Sequence, residues 1–232
     1  LTIGTAGHGI ATTVPTVNAK RAVILSGEID GGIVGSVIRP MIKLAQDVDS
    51  RGEPIDLIIS SPGGSVVPGF ILINVMEAIK KSTGIKIRCF VPDFAASMAF
   101  QVLVHCDERY TLNKSFLLWH RVRVVMGNAP LTALDTQVLY QGLLAMDRVI
   151  FKELIREIDM SREDILYHFN KETLHIGEVL AKMAPKFITS YEYIPGLLEA
   201  LTAPADGSSN SKKKVSQKDK KKAAPGEIIY IK

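Results

Sequence analysis

The stretch Phe94-Ala95-Ala96-Ser97-Met98-Ala99-Phe100 sets one hydroxyl among small and apolar residues. It follows a β-branched run and precedes another apolar segment, which predicts a turn from a strand into a helix. The small residues Ala96 and Ala99 allow a tight turn. In such a turn a serine can lie at the mouth of a pocket that N–H groups at the helix start also face. For a lone serine, a buried position in an alanine-rich helix is the commoner interpretation.

Three other motifs favour catalysis: Ser61-Pro62-Gly63-Gly64, Trp119-His120 and Lys171-Glu172-Thr173. A serine becomes a nucleophile when a base takes its proton, a third group orients that base, and N–H donors receive the oxyanion. A histidine at a strand end can be that base, and glycines after a buried strand can turn a backbone N–H into a pocket. Each motif alone is weak, but their order along the chain is specific.

Strands and helices alternate along the chain, which predicts an α/β fold with largely parallel strand pairing. Apolar runs predict buried strands at 21–26, 55–59 and 85–91, short strands at 109–112 and 116–119, and an extended segment at 187–193. Helical spacing of apolar residues predicts helices at 33–48, 70–81, 97–104, 131–158 and 178–183, with a further helix opening at Ser161.

The basic character of the chain comes from its C-terminal part. Residues 204–226 carry seven Lys and two Asp, whereas the whole chain has a net charge of +4, so the remainder is close to neutral. A nucleic-acid role would therefore have to lie in this segment, and none is predicted for the body of the fold. A solvated, disordered tail is the commoner interpretation of such a composition.

The cysteine count and the hydropathy pattern exclude several classes of protein. The two cysteines, Cys89 and Cys106, do not form a disulfide framework, which favours a reducing compartment. No apolar run approaches the roughly 18 residues that a membrane span needs, so no membrane association is predicted. No residues have metal-ligand spacing, and no cofactor is predicted.

Taken together, these motifs resemble the ClpP family of serine peptidases. The resemblance covers about residues 21–183 and rests on 21–27, 61–65, 95–99, His120 and the long helix after an insertion at 122–130, which resembles the handle of that family. It implies the ClpP/crotonase fold, a spiral of repeated β-β-α units with a long handle helix. The implied domain is 21–203, between a flexible arm at 1–20 and a Lys-rich tail at 204–232.

The resemblance also implies an activity and partners. The family cleaves peptide or unfolded protein substrates through a Ser-His-Asp triad, inside stacked rings usually fed by an ATP-driven AAA+ unfoldase. The apolar surface of the helix at 131–158 favours the same homo-oligomer. A cytoplasmic location follows, or a phage-encoded protein acting in the host cytoplasm.

Carried over to this chain, the resemblance assigns Ser97 as nucleophile and His120 as general base. Gly63 and Met98 supply the oxyanion N–H groups. The triad acid, normally Asp, falls on Glu172 if Gly177 takes the place of the small residue that opens the next helix of the family.

Alternatives to this assignment stay open. A register one residue earlier would put Lys171 at the acid position and break the triad. His105 is a rival for the base, and Asp159 and Asp164 are rivals for the acid.

Departures from the family motif favour a second class of protein. The family usually has Gly where this chain has Pro92 or Asp93 and where it has Ala99, and Glu172 stands in place of Asp. These changes are compatible with a ring subunit or structural protein that kept the fold and lost turnover. A phage prohead-processing protease would carry the same motifs. An acyl-CoA enzyme of the crotonase type ranks low, because its chemistry does not use a Ser/His pair.

Overall fold

The computed structural model describes residues 14–125, 130–203 and 230–231. Residues 1–13 of the predicted arm, the tip of the insertion at 126–129 and residues 204–229 and 232 of the predicted tail lie outside this range.

Strands in the described residues form three sheets. They are β1 (Ala22–Ser26), β2 (Ile55–Ser60), β3 (Ile87–Val91), β4 (Phe94–Ala96), β5 (Glu108–Leu112), β6 (Phe116–Leu118), β7 (Val124–Val125), β8 (Leu174–Ile176), β9 (Thr189–Tyr191) and β10 (Tyr230–Ile231). The main sheet has the order β1-β2-β3-β5-β9 and all its pairs are parallel. β7 and β10 pair antiparallel as a separate ribbon. The predicted α/β class with a largely parallel sheet is confirmed.

Helices connect the strands and cover the sheet. They are α1 (Arg39–Gln46), α2 (Val66–Thr83), α3 (Met98–Val104), α4 (Ala133–Glu157), α5 (Arg162–Lys171), α6 (Gly177–Met183) and α7 (Leu197–Thr202). Thr132 forms a capping box with Asp135 at the start of α4, and the Ser161 hydroxyl accepts the N–H of Asp164 at the start of α5. Within the described residues, no helix combines the length and the hydropathy that crossing a bilayer would require.

The core lies between the main sheet and the helices α2 and α3. Every residue of α3 is buried, as its apolar sequence on all faces requires. Gly69 of α2 lets the two helices approach closely, because a methyl group there would lie 2.3 Å from Cγ of Met98. The first residue of α3 is therefore held from two sides, by its own turn and by α2.

Three short strands form a second sheet beside the main one. β4 and β6 pair parallel, β6 and β8 pair antiparallel, and β6 lies between the other two. The separate strands β4 and β8 were not predicted. Each has only three residues, too few to show alternation, and neither is a run of large apolar residues like β6.

The expectation that the two cysteines are not linked by a disulfide is wrong. Cys89 in β3 and Cys106 after α3 are joined by a disulfide, with their Cα atoms 5.9 Å apart. Both residues are buried, so the bond links the sheet to the end of α3 inside the core. The number of cysteines is known from the sequence, but the sequence could not show that the fold brings the two thiols within bonding distance.

Several predicted boundaries shift by one to four residues. The predicted helix at 70–81 begins at Val66, so Pro68 lies inside its first turn, where its missing N–H has no intrahelical partner to lose. The predicted helix at 33–48 is a π turn at Val34–Ile38 followed by α1, and Pro40 lies at the start of α1.

Candidate active site

The small sheet brings the predicted site residues to one edge. Ser97 follows β4, and His120 lies two residues after β6, which runs parallel to β4. Glu172 lies two residues before β8, which runs antiparallel to β6 and so starts where β6 ends. The N–H of Ser97 donates to the carbonyl oxygen of Leu118 at 2.9 Å, and this hydrogen bond holds Ser97 against the end of β6. Residues far apart in sequence thus converge through strand order alone.

Ser97 lies at a sharp turn between β4 and α3. Its backbone has φ 56° and ψ −123°, in a region that residues with a side chain rarely occupy. The chain therefore reverses from strand to helix within one residue, as the sequence predicted. The hydroxyl does not cap α3, and the residue is half-buried, so the side chain stands at the edge of the core. Strain of this kind persists where the surrounding structure fixes it, and it clusters at functional sites.

The glycine loop after β2 packs directly on this turn. A methyl group on Gly63 would lie 2.6 Å from Cβ of Ser97, 2.6 Å from the carbonyl oxygen of Ala96 and 2.8 Å from the nitrogen of Met98. The residue also has φ +94°, which glycine adopts readily. Only glycine fits this position, because both the space and the backbone angle exclude a side chain.

The hydrogen bonds of the loop show which of its N–H groups is free. The N–H of Gly63 donates to Oγ of Ser61 at 3.1 Å, so it is already occupied. The carbonyl oxygen of Gly63 accepts the N–H of Ile29 at 2.8 Å. In a trans peptide the N–H points opposite to the carbonyl oxygen, so the N–H of Gly64 points away from Ile29.

The two N–H groups of the glycine loop differ in their partners. Ser61 accepts the N–H of Gly63, the predicted oxyanion donor, whereas the N–H of Gly64 has no partner among the described residues. The N–H of Met98 opens α3, where the first N–H groups of a helix have no carbonyl of their own to bind. The sequence motif contains both glycines, but the sequence alone does not show which of their N–H groups is free.

His120 is oriented by the backbone. Its Nδ1 lies 2.5 Å from the carbonyl oxygen of Arg121. A carbonyl can only accept a hydrogen bond, so Nδ1 carries the proton in this contact. In a neutral imidazole the contact therefore favours the tautomer that leaves the lone pair of Nε2 free to accept a proton.

Glu172 reaches the same edge but points to another partner. It ends α5 in the left-handed conformation, with φ 54°, and its N–H donates to the carbonyl oxygen of His168. Its carboxylate forms an ion pair with Arg123. The hydrogen bond from Arg123 lowers the pKa of Glu172 below its ordinary value, and His120 is near enough to lower it further. Among the described residues Glu172 makes no hydrogen bond to His120.

The rival residues lie elsewhere or have other roles. His105 follows the far end of α3 and contacts Glu77. Asp159 accepts two backbone N–H groups from 186–187, and Asp164 accepts the hydroxyl proton of the Ser161 cap. Lys171 is the last residue of α5.

A small cavity lies between Ser97 and His120. Its volume is about 20 Å³, room for about one water molecule, and both residues line it. Met98 forms part of its wall and Ile150 of α4 closes it from the side of the long helix. In the described part of the chain, no group of three or more His, Cys, Asp or Glu side chains is arranged to hold a metal ion.

A family model described as Clp protease matches residues 6–177. The chain belongs to this family. The matched range includes the glycine loop, the serine turn, His120 and Glu172, so every residue of the site described above lies inside it.

Curated relatives of this Clp protease family member are proteolytic subunits. The chain is 28% identical over 128 residues to the ATP-dependent Clp protease proteolytic subunit of Paracoccus denitrificans, a match that covers 54% of this chain and 61% of the relative. It is 26% identical to proteolytic subunit 2 of Prochlorococcus marinus (strain NATL2A), over 64% of this chain and 72% of the relative. It is 27% identical to proteolytic subunit 2 of Thermobifida fusca (strain YX), over 58% of this chain and 63% of the relative.

Behind the site, this Clp protease family member has a buried aromatic cluster. The rings of Trp119 and His175 stack 4.4 Å apart, and His168 meets His175 edge-on at 4.5 Å. Nε1 of Trp119, Nε2 of His175 and Nδ1 of His168 have no partner among the described residues. Burial, together with the neighbouring charge of His168, lowers the pKa of His175 to about 4. This cluster supports the segment that leads from the end of β6 to His120.

We expect this cluster to make the protein acid-labile. The ordinary pKa of histidine is about 6.5, so below that pH the unfolded chain binds a proton that folded His175 refuses until about pH 4. The contribution of His175 to the free energy of unfolding is fully present above pH 6.5. It falls by up to about 3 kcal/mol as the pH drops to 4. Burial also lowers the pKa of His168, which acts in the same direction.

The measurement is the melting temperature between pH 7.5 and 4.5 for the parent and for His175→Phe. Phenylalanine keeps a ring against Trp119 and cannot titrate, so the variant should lose part of the pH dependence. An equally steep fall in the variant would show that His175 does not cause it.

Two features of the site were not found from the sequence. The carbonyl oxygen of Arg121 orients His120, and backbone atoms leave no signature in a side-chain pattern. Arg123 pairs with Glu172 across a wide sequence separation. No pattern in the sequence around Arg123 indicates this partner.

Proposed function

We propose that this protein hydrolyses peptide bonds, with Ser97 as the nucleophile and His120 as the general base. The observation that carries this proposal is the convergence of the two residues on one cavity, with His120 held in the tautomer that leaves Nε2 free. The proteolytic subunits among its relatives support the same chemistry. Each step can be assigned to a group at this edge of the small sheet.

In the first half of the reaction, Oγ of Ser97 attacks the carbonyl carbon of the peptide and its proton passes to Nε2 of His120. The N–H groups of Met98 and Gly64 stabilise the negative charge that develops on the carbonyl oxygen. The C–N bond then breaks, the leaving amine takes the proton from His120, and an acyl ester remains on Ser97. Water repeats the sequence in the second half and releases the acid.

Assays with peptides and proteins test this function. A short fluorogenic peptide should be cleaved by the protein alone, because it needs no unfolding. An unfolded protein such as reduced casein should be degraded slowly, and a stable folded protein only with an ATP-driven unfoldase. No cleavage of any of these substrates by the assembled protein would refute the proposal.

We further propose Glu172 as the acid of the site. This role requires its carboxylate to exchange Arg123 for His120. We expect Glu172→Gln to lower kcat/KM by about 100-fold or more, because the imidazolium then loses a compensating charge. Glu172→Asp should retain part of the activity, and Arg123→Ala should retain all of it or gain some, since it frees the carboxylate. Steady-state kinetics on one peptide substrate compare the four proteins.

The same series tests the alternative in which no acid acts. If Glu172→Gln is as active as the parent, the carbonyl oxygen of Arg121 alone orients His120 and the enzyme works as a dyad. If Arg123→Ala loses activity together with Glu172→Gln, the ion pair is structural and the acid assignment is wrong.

A catalytically inactive ring subunit is the second candidate function. The ion pair between Arg123 and Glu172 favours it, because a carboxylate held by an arginine is not available to an imidazole. This candidate would be favoured if the parent protein assembles and binds peptides but shows no turnover, and if the Arg123→Ala variant also shows none.

We also propose that the protein acts as a homo-oligomer of stacked rings, in the cytoplasm or, if phage-encoded, in the host cytoplasm. The exposed apolar side chains of α4 support the assembly, since solvent is a poor environment for them. The word ATP-dependent in the names of the relatives supports an unfoldase partner. Because cytosolic thiols are kept reduced, activity should survive reduction of the disulfide.

Assembly can be disrupted through α4. Leu134 and Val138 are 68% and 65% exposed and lie one turn apart. We expect the double change Leu134→Glu and Val138→Glu to reduce the particle mass measured by light scattering. Val48→Glu is the control, because Val48 is 65% exposed but lies outside α4. A parent that is a stable, active monomer at micromolar concentration would refute the ring proposal.

A further inference from the structure

The cavity beside Ser97 has apolar walls and one buried amide. Val66, Met98 and Ile150 supply the apolar surface. Gln101 also lines the cavity, although it is only 4% exposed. In the reaction proposed above, this cavity adjoins the carbonyl under attack. Because it has room for about one water molecule, it would receive only the end of the P1 side chain, that of the residue whose carbonyl is attacked.

Gln101 is out of place among its neighbours. It belongs to α3, and the other six residues of that helix are apolar and buried. An apolar residue would satisfy packing at this position, as it does at the rest of the helix. A glutamine here needs an explanation other than burial.

The amide of Gln101 opens onto the cavity. Its backbone N–H donates to the carbonyl oxygen of Ser97 at 3.3 Å. Within the described part of the chain no hydrogen bond of its side chain is found, and its amide atoms are not among the fully buried ones, although the residue as a whole is 4% exposed. A polar group in such a position in a native protein calls for a ligand or a water molecule. The cavity is the space that can hold either.

The position of Gln101 also sets the length of the group it can meet. It lies one helical turn after Ser97, and side chains in a helix lean towards its N-terminus. The amide therefore leans back towards the serine, and the cavity is small. A short side chain fits this geometry better than a long one.

We propose that Gln101 makes this pocket selective for a short hydrogen-bonding P1 side chain, with asparagine the preferred residue. A primary amide offers one acceptor and two donors, which complement the donors and the acceptor of Gln101. Leucine has nearly the same shape and would leave the amide of Gln101 unpaired. Pockets built to hydrogen-bond a substrate reject analogues that lack the polar group for this reason.

The test uses two peptides that differ only at P1, with asparagine in one and leucine in the other. The parent should cleave the asparagine peptide with a kcat/KM about 10- to 100-fold higher. Gln101→Met keeps an unbranched side chain of the same length without the amide, and it should abolish or reverse this ratio. Gln141→Met makes the same change at an exposed position on α4 and should leave the ratio unchanged.

A binding measurement separates this inference from the proposed function on which it rests. Product peptides ending in asparagine or leucine are titrated into Ser97→Ala by calorimetry, which needs no catalysis. Tighter binding of the asparagine peptide that is lost with Gln101→Met supports the pocket assignment even if no peptide is cleaved. Equal or tighter binding of the leucine peptide, or a ratio unaffected by Gln101→Met, overturns it.

Discussion

Ser97→Ala is expected to abolish peptide hydrolysis, with a loss of at least about 10⁴-fold in kcat. The reaction has no nucleophile once Oγ is removed, and only the N–H donors and substrate binding remain. The fold should be unchanged, because the hydroxyl caps nothing and alanine keeps the Cβ that packs on Gly63. Hydrolysis of a fluorogenic peptide and the melting temperature are measured on the same preparation.

The partner of Ser97 provides a check on this result. His120→Ala alone should lose a similar amount, and the double variant should lose little more, because a nucleophile and its base act as one unit. Two independent losses that multiply would show that His120 does not activate Ser97. Unchanged turnover in Ser97→Ala would remove this residue from the mechanism.

Gly63→Ala is expected to lower kcat by about 100-fold or more. The added methyl group would lie 2.6 Å from Cβ of Ser97 and from the carbonyl oxygen of Ala96, so the loop or the turn has to move. Either movement displaces the N–H of Gly64 from the oxyanion, and loss of one such donor costs about 10²–10³ in kcat. Single-turnover kinetics on a peptide ester and a peptide amide measure this loss.

The matched control for this variant is Gly84→Ala. Gly84 also has a positive φ, +72°, but a methyl group there meets no atom within 4 Å. It carries the backbone strain without the clash, so it should lose stability and keep its kcat. If the two variants lose activity equally, strain and not the contact with Ser97 is the cause.

The sequence predicted the elements whose signals are long or local. The buried strands β2 and β3 and the helices α2 and α4 were predicted because runs of apolar residues at the right period extend over several residues. The turn at Ser97 was predicted because small residues flank a hydroxyl between two apolar segments. These signals depend only on neighbours in the chain.

The remaining features depend on contacts between distant segments. The disulfide between Cys89 and Cys106, the strand β8 and the ion pair of Glu172 with Arg123 each join parts of the chain that no periodicity relates. The free N–H of Gly64 depends on the direction of one peptide plane, which Ile29 fixes from outside the motif. Local propensity cannot specify such contacts, since they are set by tertiary packing.

Labelling with a fluorophosphonate probe tests the central claim most directly, because the probe reacts with an activated serine and does not require the natural substrate. We predict one adduct per chain, mapped by mass spectrometry to Ser97, and no adduct in His120→Ala. Ser60 ends β2, and Ser61 and Ser65 lie in the loop that follows it. These three residues serve as internal controls for ordinary hydroxyls. Folded, assembled protein that remains unlabelled, or that is labelled at another serine, would contradict the account.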